Sequence, residues 1–147
     1  MTANPSKALE RVMPCPIPTP DSLPFWQAAK EDRFLVKRCL DCGQVHWYPR
    51  PDCPMCFSDR TEWQGGLGTG VIYSYSVMRR ATPPYVVAFV TLTEGPTMLT
   101  NLVDCDPDAL AIGQAVQLQF RPSDGEFPVP VFTPVPGPAH AAKPGHG

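Results

Sequence analysis

CLDCGQVHWYPRPDCPMC, residues Cys39 to Cys56, decides how this chain folds. Two Cys-x-x-C pairs stand in it, separated by ten residues. A Cys-x-x-C turn aims two sulfurs at one point. Two such turns facing one another present four thiolates at tetrahedral spacing, the donor set of a closed structural zinc site. Cys39, Cys42, Cys53 and Cys56 are therefore the expected ligands. Gly43 follows Cys42, where a tight turn calls for a left-handed backbone; Phe57 holds the equivalent place after Cys56, and lacks glycine's freedom there. The competing readings of the same cysteines are disulfides or plain burial, and four thiolates also suit iron, as in a rubredoxin-like protein.

The chain around this motif has 147 residues, enough for one ordinary domain or two small modules. Hydrophobic residues make up 43%, which allows a modest core, while 20 prolines and 11 glycines favour short strands and turns over long helices. The formal net charge of −2 counts against a nucleic-acid partner, which calls for a basic excess. No apolar run reaches the roughly eighteen residues of a membrane span, and MTANPSKALERVMPCP lacks the apolar core of a signal peptide. A cytoplasmic protein is expected, in which thiols stay reduced and paired cysteines serve as metal ligands. Cys15 and Cys105 are left as free thiols with no neighbouring His or Lys to activate them.

Residues 1–20, with Pro14, Pro16, Pro18 and Pro20 on alternate positions, read as an extended arm able to lie along a partner. Residues 21–64 read as a helix followed by the ribbon. Asp21 or Ser22 can cap the helix, Pro24 suits its first turn, and Phe25, Trp26 and Ala29 cluster on one face. Those aromatics either pack on the ribbon or form a docking surface. Phe34 to Arg38 leads into the first cysteine pair as a strand, and Gln44 to Tyr48 returns from it. Trp47 and Tyr48 cover either the metal site or the junction with the next module. His46 is better read as a strand side chain than as a fifth ligand, because four thiolates already complete the tetrahedron.

Gly65-Gly66-Leu67-Gly68-Thr69-Gly70 resembles a phosphate loop, but a strand follows it where a dinucleotide fingerprint requires a helix. It reads as a flexible junction. From there residues 65–135 run strand after strand: Val71 to Met78, Tyr85 to Thr93, Thr97 to Val103, Val116 to Arg121 and Val131 to Val135. A single helical turn is expected near Asp106 to Leu110. Five short antiparallel strands fit a small OB-type barrel. Residues 136–147 read as a disordered tail. The fold class is thus mainly β: an N-terminal helix, a rubredoxin-like zinc ribbon, and a five-stranded OB-fold barrel.

In that order, PFWQAAKEDRF, RCLDCGQVHWYPRPDCPMC, GTGVIYSYSVMRR, YVVAFVTLTEGPTMLTNLV and IGQAVQLQF resemble the zinc-ribbon/OB-fold acyl-CoA-associated proteins catalogued as domain of unknown function 35. The likeness runs from about Pro18 to Val135, and Phe57 departs from it where glycine is usual. The resemblance implies a structural zinc and a role as accessory subunit of a thiolase-fold enzyme: a thiolase, a C-acyltransferase or a thiolase-like aldolase. Some such proteins instead accompany hot-dog-fold enoyl-CoA hydratases. The ribbon and helix would bind the partner, and the barrel would lie near the path of acyl-CoA.

The residues themselves agree that chemistry belongs elsewhere. A nucleophilic site needs Ser, Cys or Lys beside an oriented base, and the folded part holds one histidine, inside the ribbon. Asp104, Asp106 and Asp108 flank Cys105 in a turn and read as solvated. A coenzyme A thioester would seek cations for its phosphates and an apolar platform. Phe25, Trp26, Arg79, Arg80 and Tyr85 are the candidate acyl-CoA or partner contacts, with Lys37, Arg38 and Arg50 as further cations; the competing reading is solvated charges at strand ends. A single-stranded nucleic-acid module, with Tyr73, Tyr75 and Phe89 as stacking rings, is the alternative from another class.

Overall fold

The computed structural model describes residues 12–135. Helix α1, Leu23–Ala29, begins as expected, with a proline in its first turn and Ser22 at the N-cap. The Ser22 hydroxyl does not cap the helix. It accepts from the Thr19 backbone N–H at 3.0 Å, while the Ser22 and Leu23 N–H groups both donate to the Thr19 carbonyl. The helix entrance is closed by the preceding turn instead.

Three strands form the ribbon sheet: β1 (Leu35–Cys39), β2 (Val45–His46) and β3 (Thr61–Gly65), in the order β2-β1-β3. Both pairings are antiparallel, with Arg38 opposite Val45 and Leu35 opposite Gly65. The return strand is shorter than the stretch expected from Gln44 to Tyr48, because Pro49 and Pro51 cannot donate to a ladder and the chain turns before them. Strand β3 has no apolar alternation in its sequence, TEWQG, and was hidden for that reason. It carries the ribbon sheet to Gly65. The adjoining Gly66 is fixed rather than flexible: a Cβ there would lie 2.5 Å from Cδ2 of Phe34, and its N–H donates to the Phe34 carbonyl at 2.8 Å.

Five more strands close a barrel: β4 (Thr69–Met78), β5 (Tyr85–Leu92), β6 (Thr97–Leu102), β7 (Ala115–Arg121) and β8 (Val129–Pro134), in the cyclic order β4-β5-β6-β8-β7. A 3₁₀ turn, Pro107–Ala109, stands in the β6–β7 connection. Alternation explains the strands. In β5, Val86, Ala88, Val90 and Leu92 are buried while the residues between them face outward. The expectation that all five strands pair antiparallel needs correction, since β6 and β8 meet in parallel. An odd number of strands cannot alternate in direction all the way around a closed ring, so one neighbouring pair must run the same way.

Helix, ribbon and barrel share one core. Phe25, Trp26, Phe34 and Val36 belong to the same buried cluster as Ile72, Val90, Met98, Val116 and Phe132. The arm, from residue 12 onward, lies on its own barrel rather than reaching away from it. Met13 pairs with Ser123 in a parallel bridge, its carbonyl accepts from the Asp124 N–H at 2.9 Å, and Cys15 N–H donates to Asp124 Oδ1 at 2.9 Å. The remainder of the expected arm, residues 1–11, and the expected tail, residues 136–147, lie outside the described residues. Among the described residues no helix is long and apolar enough to cross a membrane.

Phe25 is fully buried, with ring centroids of Trp47 at 4.7 Å, Trp26 at 4.8 Å and Phe34 at 6.0 Å. Phe25→Ala is expected to remove about 3–5 kcal/mol of stability, read as a lowered urea midpoint in the metal-loaded protein.

Candidate metal centre and barrel cavity

Two backbone turns of the same design carry the four cysteines. In the first, Gly43 N–H donates to the Cys39 carbonyl and Cys39 N–H to the Gln44 carbonyl, both at 2.9 Å. In the second, Phe57 N–H donates to the Cys53 carbonyl and Cys53 N–H to the Ser58 carbonyl, both at 2.8 Å. Each turn ends in a left-handed residue: Gly43 at φ 78° and Phe57 at φ 65°. The sequence departure at Phe57 is therefore a strained backbone, and its ring is 80% exposed. Asp41 ties the turns together, accepting from the Ser58 hydroxyl and from Arg60 Nη1.

All four Sγ atoms lie within 4.8 Å of one another, with Cys39 to Cys56 at 3.6 Å and Cys42 to Cys53 at 3.7 Å. A disulfide needs sulfurs about 2.05 Å apart, so these are four thiols. Zinc–sulfur bonds of about 2.3 Å in a tetrahedron separate the sulfurs by roughly 3.8 Å, and the cluster fits that ion closely. Backbone N–H groups already favour thiolate. Cys42 N–H points at Cys39 Sγ at 3.5 Å and Met55 N–H at Cys53 Sγ at 3.4 Å. The Cys39 thiol is held down at about 6, chiefly by the Cys42 backbone. Cys39 and Cys53 are buried and Cys42 and Cys56 exposed, so the site lies at the ribbon's tip with its inner half sealed. With all four tetrahedral positions supplied by sulfur, an ion here has no open position for water or substrate.

His46 is not part of the cluster. It is 2% exposed, and neither ring nitrogen has a hydrogen-bond partner among the described residues. Burial, reinforced by the Lys37 and Arg50 charges, pushes its pKa down.

Phe25 and Trp26 do not form a surface. They are 0% and 6% exposed, and Trp26 Nε1 donates to the Tyr48 hydroxyl at 3.0 Å. Of the two readings offered for these rings, packing is the one their position allows, because the helix buries Phe25 against Phe34 and Trp47, with the Trp26 ring edge-on to Phe25. Trp47 belongs to this junction too. Tyr73, Tyr75 and Phe89 do not make one stacking face: Tyr73 and Phe89 are exposed, but Tyr75 packs on the core and donates its hydroxyl to the Leu110 carbonyl at 3.0 Å. An irregularity in β4 between Ile72 and Ser74 reverses the alternation that sequence alone would extend. The glycine stretch at 65–70 holds no phosphate cradle either, since Leu67 N–H is committed to Glu94 Oε2 at 2.6 Å.

Lys37 and Arg38 stay on the ribbon, over the Trp63 ring and beside Glu62, while one end of the barrel holds a cavity of about 550 Å³. Tyr85 is on its wall. Arg79 stands at the rim, where Nη2 pairs with Asp108 Oδ1 at 2.9 Å beside the wall residue Pro107. Arg80 follows it, exposed, in the β4–β5 turn. Asp104, Asp106 and Asp108 are exposed, as read from the sequence, and each also has a specific partner. Asp104 pairs with Arg121, Asp108 with Arg79, and Asp106 accepts from the Asp108 N–H to start the 3₁₀ turn. Leu102, Cys105 and Arg121 were missed as wall residues because they come from separate strands and loops with no local motif.

Comparison with known proteins agrees with these two modules. The family model described as the rubredoxin-like zinc ribbon domain of ChsH2 matches residues 26–62, and that of the ChsH2 C-terminal OB-fold domain matches residues 63–121. A DUF35 domain-containing scaffold protein of Methanothermobacter thermautotrophicus is 42% identical over 91 residues, covering 57% of this chain and 68% of that protein. A probable enoyl-CoA hydratase alpha subunit of Thermomonospora curvata is 41% identical over 116 residues, covering 75% of this chain; the match spans only 36% of that subunit's length. Among solved structures, the Ltp2-ChsH2(DUF35) aldolase contains a chain superposing with TM-score 0.72 at 38% identity, over 82% of this chain and 98% of that one. A DUF35-family protein of unknown function from Sulfolobus solfataricus shares the fold, with TM-score 0.58 at 13% identity, over 79% and 86% of the two chains.

Two outcomes follow from the ribbon. Phe57→Gly removes a left-handed strain of about 1–2 kcal/mol and adds a glycine entropy cost of about 0.5–1 kcal/mol. The variant is expected to be more stable by roughly 1 kcal/mol, seen as a raised urea midpoint. His46, with its folded pKa below the ordinary value of about 6.5, takes up its proton more readily in the unfolded chain. The stability supported by the neutral ring is complete above about pH 6.5 and is lost as pH falls through the lower folded value. His46→Phe is expected to flatten that acid loss, measured as the difference in urea midpoint between neutral pH and about pH 5.

Proposed function

The chain belongs to the DUF35 family of zinc-ribbon/OB-fold proteins, and on that premise we propose that it is a non-catalytic accessory subunit of a heteromeric thiolase-type acyl-CoA enzyme. The catalytic partner is a thiolase, a C-acyltransferase or a thiolase-like aldolase. The observation that carries this reading is the superposition on a chain of the Ltp2-ChsH2(DUF35) aldolase at 38% identity, covering 98% of that chain. The name of the Methanothermobacter relative, a scaffold protein, points the same way.

The geometry supports the division of labour. The single histidine of the described residues is sealed inside the ribbon, out of reach of the cavity. The four-thiol centre is closed, so its zinc is a structural staple whose binding contributes on the order of 10 kcal/mol to folding. Assembly and handling of the acyl-CoA substrate are what remain for this chain, and the compartment consistent with four reduced thiols is the cytoplasm.

A second reading has its own support. The Thermomonospora relative and a 3-oxo-4,17-pregnadiene-20-carboxyl-CoA hydratase alpha subunit of Mycobacterium tuberculosis are both named as hydratase subunits. In that case the partner is a hot-dog-fold acyl-CoA hydratase. Co-expression with a thiolase-fold partner, and separately with a hydratase partner, distinguishes the two.

A stable complex is expected with the thiolase-fold protein, and no thiolysis or condensation by this chain alone. Cys39→Ser is expected to lose zinc and complex formation together, read by metal analysis and by copurification. Copurification with neither partner overturns the proposal. A zinc-free variant that still assembles overturns the role given to the ribbon.

A further inference from the structure

The outer face of the barrel over β4, β5 and β6 carries an apolar row that packs on nothing in the fold itself. Phe89 and Leu99 stand directly opposite one another on β5 and β6. On the other side of Phe89, the irregularity in β4 sets two residues, Tyr73 and Ser74, against one. Tyr73, Phe89 and Leu99 are 65%, 44% and 58% exposed, and Val71, the next outward position along β4, is 41% exposed. These four side chains leave roughly 400 Å² open, within the 300–600 Å² or so of the largest apolar patch on a monomeric protein, which is often functional.

Charge and hydrogen bonding both prepare this face for burial. The three strands, 10, 8 and 6 residues long, contain no Asp, Glu, Lys, Arg or His, in a chain that is 18% charged. Hydroxyls at the margin are paired with each other, Thr91 with Thr97 at 3.1 Å and Thr69 with Thr93 at 2.7 Å. Covering the row therefore strands no charge and leaves these hydroxyls with partners. The other exposed apolar group, at the ribbon tip, is different. Leu40, Met55 and Phe57 stand there among Asp41, Asp59 and Arg60, all exposed.

A face without charge offers an approaching protein nothing to steer by and nothing to pair with. Its complement is a second uncharged apolar face, and this chain supplies one. A twofold axis running along β5 in the plane of contact sets Phe89 on Phe89, and Tyr73 of each copy on Leu99 of the other. That reciprocity is what an isologous contact requires. The row covers about half of the ~800 Å² per partner of a standard interface. Ser76, Val87, Thr91 and Thr97, on the same side of the same strands, extend it without adding charge.

We propose that this face joins two copies of the chain, barrel to barrel, with Phe89 at the centre of the contact. Pairing of this kind goes beyond the accessory role, which a monomer could fill, and it brings such subunits into a heteromeric complex two at a time. The contact uses no residue of the ribbon.

Sedimentation velocity of the full-length, zinc-loaded protein, without any partner, tests it across the micromolar range. A concentration-dependent dimer is expected, with a micromolar dissociation constant, since an apolar core this small does not hold two chains tightly. Phe89→Lys and Leu99→Lys are each expected to raise that constant at least about tenfold, with zinc content and urea midpoint retained as proof of folding. Phe57→Gly, at the ribbon tip, is expected to leave the dimer intact. A dimer unaffected by both lysine variants overturns the proposal, as does a dimer lost with Phe57→Gly. A monomeric wild-type protein also overturns it. If Phe89→Lys then abolishes copurification with the catalytic partner, the face belongs to that partner instead. The sedimentation result is independent of which enzyme the chain accompanies, so failure of either reading leaves the other standing.

Discussion

Four thiols converging within 4.8 Å at the tip of the ribbon set the terms for the N-terminal half of this molecule. The sheet beneath them has three strands, one of them two residues long, and a sheet that small cannot pay its own ordering entropy. The two cysteine turns compensate because each is a complete hydrogen-bonded unit and each aims two sulfurs at the same point. Asp41 couples them by bonding Ser58 and Arg60 across the gap. The second turn holds its shape even with Phe57 in a left-handed conformation, a measure of how strongly the cysteines dictate the backbone around them.

The ribbon's base depends on a second constraint, the aromatic junction. Phe25, Trp26, Phe34 and Trp47 meet mostly edge-to-face, an arrangement that favours rings with opposed quadrupoles. Because Phe25, Trp26 and Phe34 also belong to the barrel's buried cluster, the helix acts as a wedge common to both modules. Gly66 marks how tight the joint is, since no side chain fits between it and the Phe34 ring. Docking of a partner must therefore use other surfaces than the helix's aromatic face.

Closure of the barrel then creates what neither module has separately. Five strands in a ring force one parallel contact, between β6 and β8, and leave an end where the β4–β5 turn, the 3₁₀ turn and the exit of β7 stand around a cavity. Ion pairs at Arg79–Asp108 and Arg121–Asp104 stiffen that end. Exposed surface pairs of this kind add little stability individually. Their larger consequence is to cancel charge around an apolar wall.

Much of this was legible in the linear chain, for physical reasons that differ from element to element. The metal ligands are paired within four-residue turns, so spacing alone reveals them. The long barrel strands announce themselves by period-two burial, as in Val86, Ala88, Val90 and Leu92. Strand β3 stayed hidden because its neighbours, not its own composition, make it a strand, and Tyr75 was misplaced because one irregularity in β4 reverses every face beyond it. The sequence by itself determined the four-cysteine centre, the order of modules and the poverty of catalytic groups, all of which rest on residue type and local spacing. Only the tertiary structure decided that Phe25 and Trp26 are interior, which partners the three exposed aspartates find, and that Val77, Tyr85, Leu102, Cys105 and Arg121 share one wall, because those facts depend on how distant strands close upon each other.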